Sequence, residues 1–367
     1  MANPDTRRKR MLKMFRQMPN IAKMGFLTSF FITGPEDITS ADFVSIDIER
    51  SDEDIAPVLR DVKTGAIVVA EDIYTNKTIK PPAYALEMPL NVYDLMKRQP
   101  GDTEYEESEN WLGQMAQRVQ KSWRKMMQML KYSIELQASQ ILQTGTLTLN
   151  DEDGNAVYTL DYKPKVSHFP TVSTSWSTTA SATPLDDITD LADVIRDDGL
   201  CDIQDLIFGS TAWKNFIKND DVRELLDNRR INIGEIAPQM RNLGAKFQGM
   251  ISYGAYEYRM WTYNARYKAT FGATSKSLYV AADKVVFLPA AEELDFRKVY
   301  GGVPMLINSV PPFDQFLPGR VPVPGAVDFK PRVYADERAE TIISEIKSRP
   351  LLIPVSIDKY GCLDTEI

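Results

Sequence analysis

Few residues of this 367-residue chain have the type and spacing that chemistry requires. The single histidine, His168, excludes a paired-histidine metal site, and any histidine-dependent nucleophile would have to use it as the base. Cys201 and Cys362 lie too far apart in sequence for a CxxC zinc or redox motif. They also cannot form a disulfide framework, which indicates a reducing compartment. We expect His168 to be a satisfied packing or surface residue.

Two groups of acidic residues imitate metal sites. The stretch 151–155 begins like a calcium loop, but Ala156 and Tyr162 stand where such a loop needs glycine and a bidentate glutamate. It therefore predicts a hairpin turn. Asp186, Asp187 and Asp190 fall at the start of a predicted helix, where carboxylates cap free N–H groups and favour the helix dipole.

The sequence also lacks a phosphate-binding loop, since neither GxxxxGK[ST] nor GxGxxG occurs. Gly301-Gly302 follows a predicted strand, but Pro304 prevents a helix from starting there. Without an acid/base or metal constellation, we predict that the chain is not an enzyme and has no cofactor. A soluble enzyme of α+β type stays as an alternative.

The charge of the chain is unevenly distributed. Its net charge is −8, from 43 basic and 51 acidic residues. Residues 1–24 hold seven basic residues and one acid, a net +6, so the other 343 residues carry −14. The basic residues are Arg7, Arg8, Lys9, Arg10, Lys13, Arg16 and Lys23. They interleave with apolar residues, unlike a secretory signal, and no later stretch reaches the roughly 20 apolar residues of a membrane span. We predict an extended or partly helical arm over 1–35 and no membrane partner.

The elements that would position any site follow from periodicity. Apolar residues recur every three or four positions from Trp111 to Ile141, which predicts a helix over 108–143 of roughly 50 Å. Residues 58–90 predict a long two-stranded excursion, with strands at 62–69 and 84–90 and a polar tip near 76–78. The remaining predictions are a hairpin over 146–160, helices over 184–195 and 212–226, strands at 206–208, 250–267, 277–288 and 340–355, and no regular structure over most of the proline-rich stretch 304–331.

The order of these elements resembles the Hong Kong 97-type capsid fold of tailed bacteriophages, and specifically the phage major capsid protein E family of the lambda head protein. Four stretches carry the resemblance: Thr78-Ile79-Lys80-Pro81-Pro82, residues 208–230 with Trp213, Phe216 and Arg229-Arg230, the tyrosine-rich 250–267, and 342–355 with Arg349-Pro350-Leu351-Leu352. The resemblance implies an α+β fold and a division of the chain into five parts. These are an N-terminal arm and lead-in (1–57), an extended loop (58–90), a peripheral domain with the spine helix 108–143 and a β-hairpin (91–185), an axial domain (186–330), and a terminal strand returning to the peripheral domain (331–367).

The resemblance also implies a function. The chain would be the major head protein of a tailed double-stranded DNA phage, self-assembling as hexamers and pentamers into an icosahedral shell around the genome. Its partners would be its own copies, a separate scaffolding protein, a portal, in some phages a decoration protein, and packaged DNA through non-specific contacts. It would be made in the bacterial host cytoplasm and reside in the virion. An encapsulin-type compartment shell is the alternative, and we expect no covalent cross-link between subunits.

Segments too long to bury themselves must be buried against neighbouring subunits, and such interfaces are rich in apolar and aromatic residues. The candidate inter-subunit contacts are Phe26, Phe30, Phe31, Tyr74, Lys77, Lys80 and Tyr84, with packing inside their own subunit as the alternative. The basic arm would face DNA, the scaffold, or the acid-rich segment 36–61 of a neighbour. An acidic wall around DNA keeps non-specific affinity low, because each neutralised phosphate strengthens binding.

Overall fold

The structure is a computed structural model that describes residues 25–49, 74–91, 111–228, 241–242, 244–270, 274–308, 320–336, 338 and 341–367. Within these ranges the helices are two 3-10 turns, Leu27–Phe30 and Val166–His168, and four α-helices: α1 Trp111–Thr144, α2 Pro184–Gly199, α3 Ser210–Lys218 and α4 Asp220–Asn228. None of the described helices is both long and apolar enough to cross a membrane.

The strands number nineteen within the same ranges and are named in chain order. They are β1 Val44–Glu49, β2 Tyr74–Ile79, β3 Tyr84–Asn91, β4 Thr146–Asn150, β5 Ala156–Asp161, β6 Ile203–Phe208, β7 Arg241–Asn242, β8 Ala245–Tyr253, β9 Tyr256–Tyr263, β10 Arg266–Tyr267, β11 Ser277–Leu278, β12 Lys284–Pro289, β13 Phe296–Tyr300, β14 Val303–Asn308, β15 Arg320–Gly325, β16 Lys330–Asp336, β17 Thr341–Ser348, β18 Pro350–Pro354 and β19 Gly361–Asp364.

Helix α1 is the longest element, with 34 residues, and confirms the helix that the periodicity predicts. Its apolar stripe is buried along its length: Val119, Trp123, Met126, Leu130, Ile134, Ala138 and Ile141. The first part of the stripe packs on a three-stranded sheet with the order β16-β17-β3. The second part enters a larger core shared with β12, β13 and β18. One helix therefore supports two packing regions, since about 50 Å exceeds the width of a single small core.

The hairpin β4–β5 follows α1 at once, as predicted, and its turn needs no metal. The Asp151 carboxylate accepts the backbone N–H groups of Asp153 and Asn155 at 3.0 and 2.8 Å. These hydrogen bonds, the one from Asn155 above all, lower the pKa of Asp151 below its usual value. The stretch 151–155 is thus a turn closed by its own aspartate.

A six-stranded sheet with the order β19-β12-β6-β9-β8-β7 forms the other main layer. β6 and β9 are parallel, and the other pairs are antiparallel. Helices α2 and α3 cover it through a second core that includes Ile195, Phe208 and Phe216. The single helix predicted over 212–226 is two helices, α3 and α4, because Asn219 interrupts it. The Asn219 side chain accepts hydrogen bonds from the backbone N–H groups of Asp221 and Val222 and so caps the start of α4.

The predicted excursion is wrong in its pairing. β2 pairs antiparallel with β1, and β3 pairs with β17, so 44–49 and 74–79 form a separate two-stranded sheet, here called the β1–β2 ribbon. The expected tip at 76–78 lies inside β2, and the expected strand 62–69 lies outside the described residues. The polar sequence of 75–78 reads as a loop because it lacks the alternating apolar residues that predict a strand, whereas Ile79 at the end of β2 is buried in the main core.

The prediction of no regular structure over most of 304–331 is wrong for the described part of that stretch, and 309–319 lie outside the described residues. β14 and β15 pair with Pro304 opposite Pro324 and Leu306 opposite Pro322. Facing residues of an antiparallel pair alternate between pairs that exchange hydrogen bonds and pairs that do not, and all three prolines fall in the same alternating set. We infer that this is the set without hydrogen bonds, in which the backbone N–H of each residue points away from the partner strand. Proline is compatible with strand structure here because both strands are edges.

The last 37 residues contribute strands to three sheets, one of them the pair formed by β18 and β13. β17 lies between β16 and β3 beneath α1, whereas β19 joins β12 at the edge of the six-stranded sheet. The long strand region predicted for 340–355 is present as β17 and β18, and Arg349 separates them.

Candidate functional site: the lead-in segment and the base of the β1–β2 ribbon

A buried carboxylate holds the start of the lead-in segment, residues 25–43, against α1. Glu135, 2% exposed, accepts the backbone N–H groups of Leu27 and Thr28, each at 3.0 Å. The Thr28 hydroxyl donates to the same carboxylate, and the Tyr263 hydroxyl donates at 2.6 Å. Burial and the neighbouring negative charge raise the pKa of Tyr263 well above its usual value, so the phenol stays a donor. Four donors around one carboxylate are the satisfied form of a buried charge. We call this arrangement the Glu135 cradle.

The three phenylalanines of the lead-in segment pack inside their own chain. Phe26, Phe30 and Phe31 are 3, 9 and 3% exposed. The Phe26 ring lies 5.1 Å from that of Trp261, and the Phe31 ring stacks on that of Phe296 at 4.9 Å. Their prediction as inter-subunit contacts is therefore corrected, because no exposed ring surface of any size remains for a neighbour. Aromatic residues in a terminal segment indicate burial, and the sequence does not specify in which subunit.

The lead-in segment then follows the free edge of β13. The Ile32 N–H donates to the Phe296 carbonyl at 2.9 Å, and the Lys298 N–H donates to the Ile32 carbonyl at 2.8 Å. Further along, the Tyr300 N–H donates to the Asp37 carbonyl at 2.8 Å. β13 pairs with β18 on its other edge, so the lead-in segment covers backbone groups that would otherwise be an exposed sheet edge.

Arg349 fixes the point at which the β1–β2 ribbon leaves the body. Its guanidinium donates to the Asp42 carboxylate at 2.7 Å, the Gly302 carbonyl at 2.9 Å, the Pro81 carbonyl at 3.1 Å and the Asp42 carbonyl at 3.2 Å. Asp42 precedes β1 and Pro81 follows β2. One side chain therefore joins the two strands, at the base of the ribbon, to the loop between β13 and β14. The planar guanidinium can reach several acceptors at once, which an ammonium group could not. We call this arrangement the Arg349 clamp.

Two glycines let the backbone segments at the clamp approach one another. A Cβ on Gly302 would lie 2.1 Å from the Ser40 carbonyl oxygen, and one on Gly301 would lie 3.0 Å from the Pro81 ring. The Gly302 N–H donates to the Ala41 carbonyl at 2.8 Å. Gly301-Gly302, considered from sequence only as a failed phosphate loop, is thus a packing point for the lead-in segment.

Asp42 has a second partner. Lys80 forms an ion pair with it at 2.8 Å and lies 5.6 Å from the centre of the Phe43 ring. The hydrogen bond from Lys80, followed by that from Arg349, holds the pKa of Asp42 below its usual value. Lys80, predicted as an inter-subunit contact, is exposed and paired within its own chain.

The other predicted contact residues lie in or beside the ribbon. Tyr74 and Lys77 belong to β2, opposite Glu49 and Ile46, and the structure describes nothing of their side chains. Tyr84 opens β3 and is half-buried. Its hydroxyl accepts a hydrogen bond from the Gln137 side chain at 3.0 Å, and burial raises its pKa to about 12. The predicted charges of the arm, Arg7, Arg8, Lys9, Arg10, Lys13, Arg16 and Lys23, lie outside the described residues.

The residues that resembled chemical sites have structural partners. His168 is fully buried, with Nε2 3.0 Å from the Asp198 carboxylate and Nδ1 3.1 Å from the Tyr360 carbonyl, which agrees with its prediction as a packing residue. Asp187, in the first turn of α2, accepts the Trp176 indole N–H at 2.8 Å. Among the described residues, no group of three His, Cys, Asp or Glu residues is arranged to hold a metal ion.

The arrangement thus joins distant segments and positions the base of the β1–β2 ribbon, and sequence reasoning missed its two central residues. Glu135 is the single acidic residue of α1. A lone acid on the longest amphipathic helix was the signal that could have revealed it. Arg349 stood within one of the stretches that carried the family resemblance, but its side chain had no assigned partner.

Comparison with known proteins gives one family and a set of solved structures. The family model for phage major capsid protein E matches residues 8–359. The crystal structure of a prophage capsid protein from E. coli CFT073 is similar, with a TM-score of 0.62, 14% identity, and coverage of 97% of this chain and 98% of that one. At that identity the likeness shows a shared fold.

Two further structures are more distant. A phage-related protein from Bordetella bronchiseptica RB50 has a TM-score of 0.49 and 11% identity, covering 97% of this chain and 96% of that one. A chain from Gordonia phage Cozz has a TM-score of 0.45 and 11% identity, covering 95% and 89%. No curated protein sequence matches the chain.

Proposed function

Because the chain belongs to the phage major capsid protein E family, it is a bacteriophage capsid protein, and we propose that it assembles as hexamers and pentamers into an icosahedral shell around packaged double-stranded DNA. The proposed architecture is the Hong Kong 97-type fold. In it, α1 is the spine of the peripheral domain, and the six-stranded sheet forms the axial domain that meets its copies around the symmetry axes. The terminal residues serve both units, since β17 pairs with β3 and β19 joins β12.

One observation carries this proposal. The β1–β2 ribbon is attached to the body at its base by the Arg349 clamp, yet its two strands pair only with each other among the described strands. An isolated two-stranded sheet is marginally stable in water. A neighbouring subunit that covers the ribbon would stabilise it, and contacts of this heterologous kind close into rings. We propose that Tyr74 and Lys77 of the ribbon, and Lys80 directly after it, contact the next subunit in the ring.

The further partners are also proposals. A separate scaffolding protein, a portal and, in some phages, a decoration protein would assist assembly, and synthesis would take place in the host cytoplasm before incorporation into the virion. As a member of a family of structural proteins, the chain would act through assembly and not through catalysis.

Electron microscopy of the full chain tests the proposal. We expect the protein, expressed with the assembly proteins encoded beside it, to form closed shells or rings in negative stain. Lys77→Glu should reduce assembly, whereas Lys214→Glu, which makes the same charge change on the exposed face of α3, should not. If only small monodisperse species form under all conditions, the proposal is refuted.

The same particles separate the virion from the compartment shell. A phage head would incorporate a portal and take up DNA, whereas an encapsulin-type shell would form without either and enclose protein cargo. The family match, which is to a phage capsid protein, favours the head.

A further inference from the structure

Helix α1 carries a concentration of positive charge that its packing role does not require. It holds five basic residues and one acid, in a chain whose remaining part outside 1–24 is strongly acidic. The basic residues are Arg118, Lys121, Arg124, Lys125 and Lys131. The acid, Glu135, is buried in its cradle and so contributes nothing to the exposed surface.

The exposed part of this charge lies on the side of α1 away from the sheet. Val119, Trp123 and Met126 are buried against the β16-β17-β3 sheet, and at 100° per residue they lie within about 60° of one another on the helix. Lys121 and Arg124 lie on the opposite half of the circumference, and both are exposed. Lys125 is exposed beside them. Among the described residues, no ion pair involves any of these three.

Polar residues extend this surface toward the C-terminal half of α1. The Gln128 side-chain amide donates to the Tyr132 hydroxyl at 2.5 Å, and the Tyr132 ring is about half exposed. With Lys121, Arg124 and Lys125, these two residues form what we call the basic stripe. It runs for roughly 17 Å along the helix, at 1.5 Å per residue.

The basic arm is attached on the same side. Glu135 lies seven residues, two helical turns, after Gln128 and therefore on the same face of α1. A Cβ on Gly25 would lie 2.1 Å from the Glu135 carboxyl carbon, so Gly25 sits directly on this face. Residues 1–24, with a net charge of +6, are covalently joined to Gly25. The stripe and the root of the arm thus belong to one side of the subunit.

We propose that the basic stripe of α1 binds the phosphate backbone of double-stranded DNA without regard to sequence, and that this side of the subunit faces the lumen of the shell. The proposal rests on the proposed function. Duplex DNA presents a negative charge about every 1.7 Å along its axis, so a straight row of cations can meet phosphates in any register. Amide and hydroxyl groups such as those of Gln128 and Tyr132 also donate to phosphate oxygens.

The composition of the stripe favours DNA over an acidic protein. The centre of a stable protein interface is usually built from several apolar or aromatic anchors in pockets. The exposed residues of the stripe offer only Tyr132 of this kind. Three cations per subunit also give weak binding per subunit, which suits a wall that must hold DNA without trapping it.

The salt dependence of DNA binding by the full-length protein tests the proposal. The probe is a fluorescent 30-base-pair duplex of mixed sequence, followed by anisotropy. The triple variant Lys121→Gln, Arg124→Gln, Lys125→Gln should reduce the slope of log K against log salt by about 2.7, or 0.9 for each lost phosphate contact. Between 50 and 200 mM salt, the affinity of the triple variant for DNA should therefore fall about 40-fold less than that of the parent protein. The matched control is Lys214→Gln, Lys218→Gln, Arg223→Gln, which removes the same charge from α3 and α4 and should leave the slope nearly unchanged.

Three outcomes would overturn the proposal. The first is no DNA binding by the parent protein at 50 mM salt, and the second is an equal effect of the two triple variants on the slope. The third is that the stripe variant loses binding to poly-glutamate, the probe for an acidic protein, while its DNA binding is intact. The last would assign the stripe to an acidic protein. Particle formation is scored in parallel by negative stain. If the parent protein forms shells but the stripe variant keeps the parent's slope, this inference fails while the proposed function stands. If no shells form, it is the proposed function that fails.

Discussion

Replacing Arg349 with methionine should loosen the base of the β1–β2 ribbon by a predictable amount. Methionine fills much of the arginine volume but donates no hydrogen bond. The buried carbonyl groups of Gly302 and Pro81 then lose their donors, at a cost of about 1–3 kcal/mol each. The ion pair with Asp42 adds little to this cost, because solvent screens the half-exposed Asp42 side chain.

One compensation lowers this sum. The Arg349 Nε atom is buried without an acceptor among the described residues, so the native side chain carries a desolvation cost that methionine removes. We therefore expect Arg349→Met to reduce the free energy of unfolding by about 2–4 kcal/mol. Lysine at this position should recover only part of the loss, since a single ammonium group cannot span both ends of the ribbon.

Urea denaturation of the unassembled subunit measures the loss, and hydrogen exchange of peptides covering 42–49 and 74–81 locates it. The control is Arg196→Met, which removes an ion pair of similar length, 2.6 Å to Asp202, with both side chains more than half exposed. Its expected cost is below about 1 kcal/mol. If the two variants lose equal stability, or if exchange at the ribbon base is unchanged in Arg349→Met, the clamp does not fix the ribbon and the reasoning is refuted.

Three other predictions concern the lead-in segment, the thiols and acid. Gly25→Ala places a methyl group against the buried carboxylate of the cradle and should lower Tm by several degrees. The control Gly34→Ala should change Tm little, because its nearest contact would be the movable Asp37 side chain at 3.2 Å. Equal shifts in Tm would contradict the role of the cradle. Burial raises the pKa of Cys201 to about 11 and that of Cys362 to about 12, so neither thiol of the folded protein should react with Ellman's reagent at pH 8 until urea unfolds the chain; rapid native labelling would show that they are accessible. The pKa of Asp42 is lowered in the fold, so the carboxylate's contribution to stability is complete above the ordinary carboxyl pKa and is lost as pH falls through the lowered value. Acid should therefore loosen the base of the ribbon less in Asp42→Asn than in the parent. Hydrogen exchange, corrected for the intrinsic exchange rate, measures the difference.

The sequence by itself determined the features that depend on neighbouring residues. The 3.6-residue periodicity of 111–141 predicts α1, because one apolar stripe can be buried only on a helix. Alternation at 84–90 predicts β3, and the turn residues at 151–155 predict the β4–β5 hairpin. The same local character explains why the aspartates at the start of α2 are predicted from sequence as first-turn residues that favour the helix dipole.

Tertiary structure alone decided which distant segments meet. Glu135 binds backbone groups 107 and 108 residues away, and Arg349 reaches Asp42 across 307 residues. Residue type cannot specify such pairs, because a carboxylate or guanidinium has many chemically equivalent partners and only the path of the chain selects one. The partner of β2 and the burial of Phe26 were undetermined for the same reason: strand pairing and aromatic burial lower the free energy with any suitable surface, and the topology decides which surface is within reach.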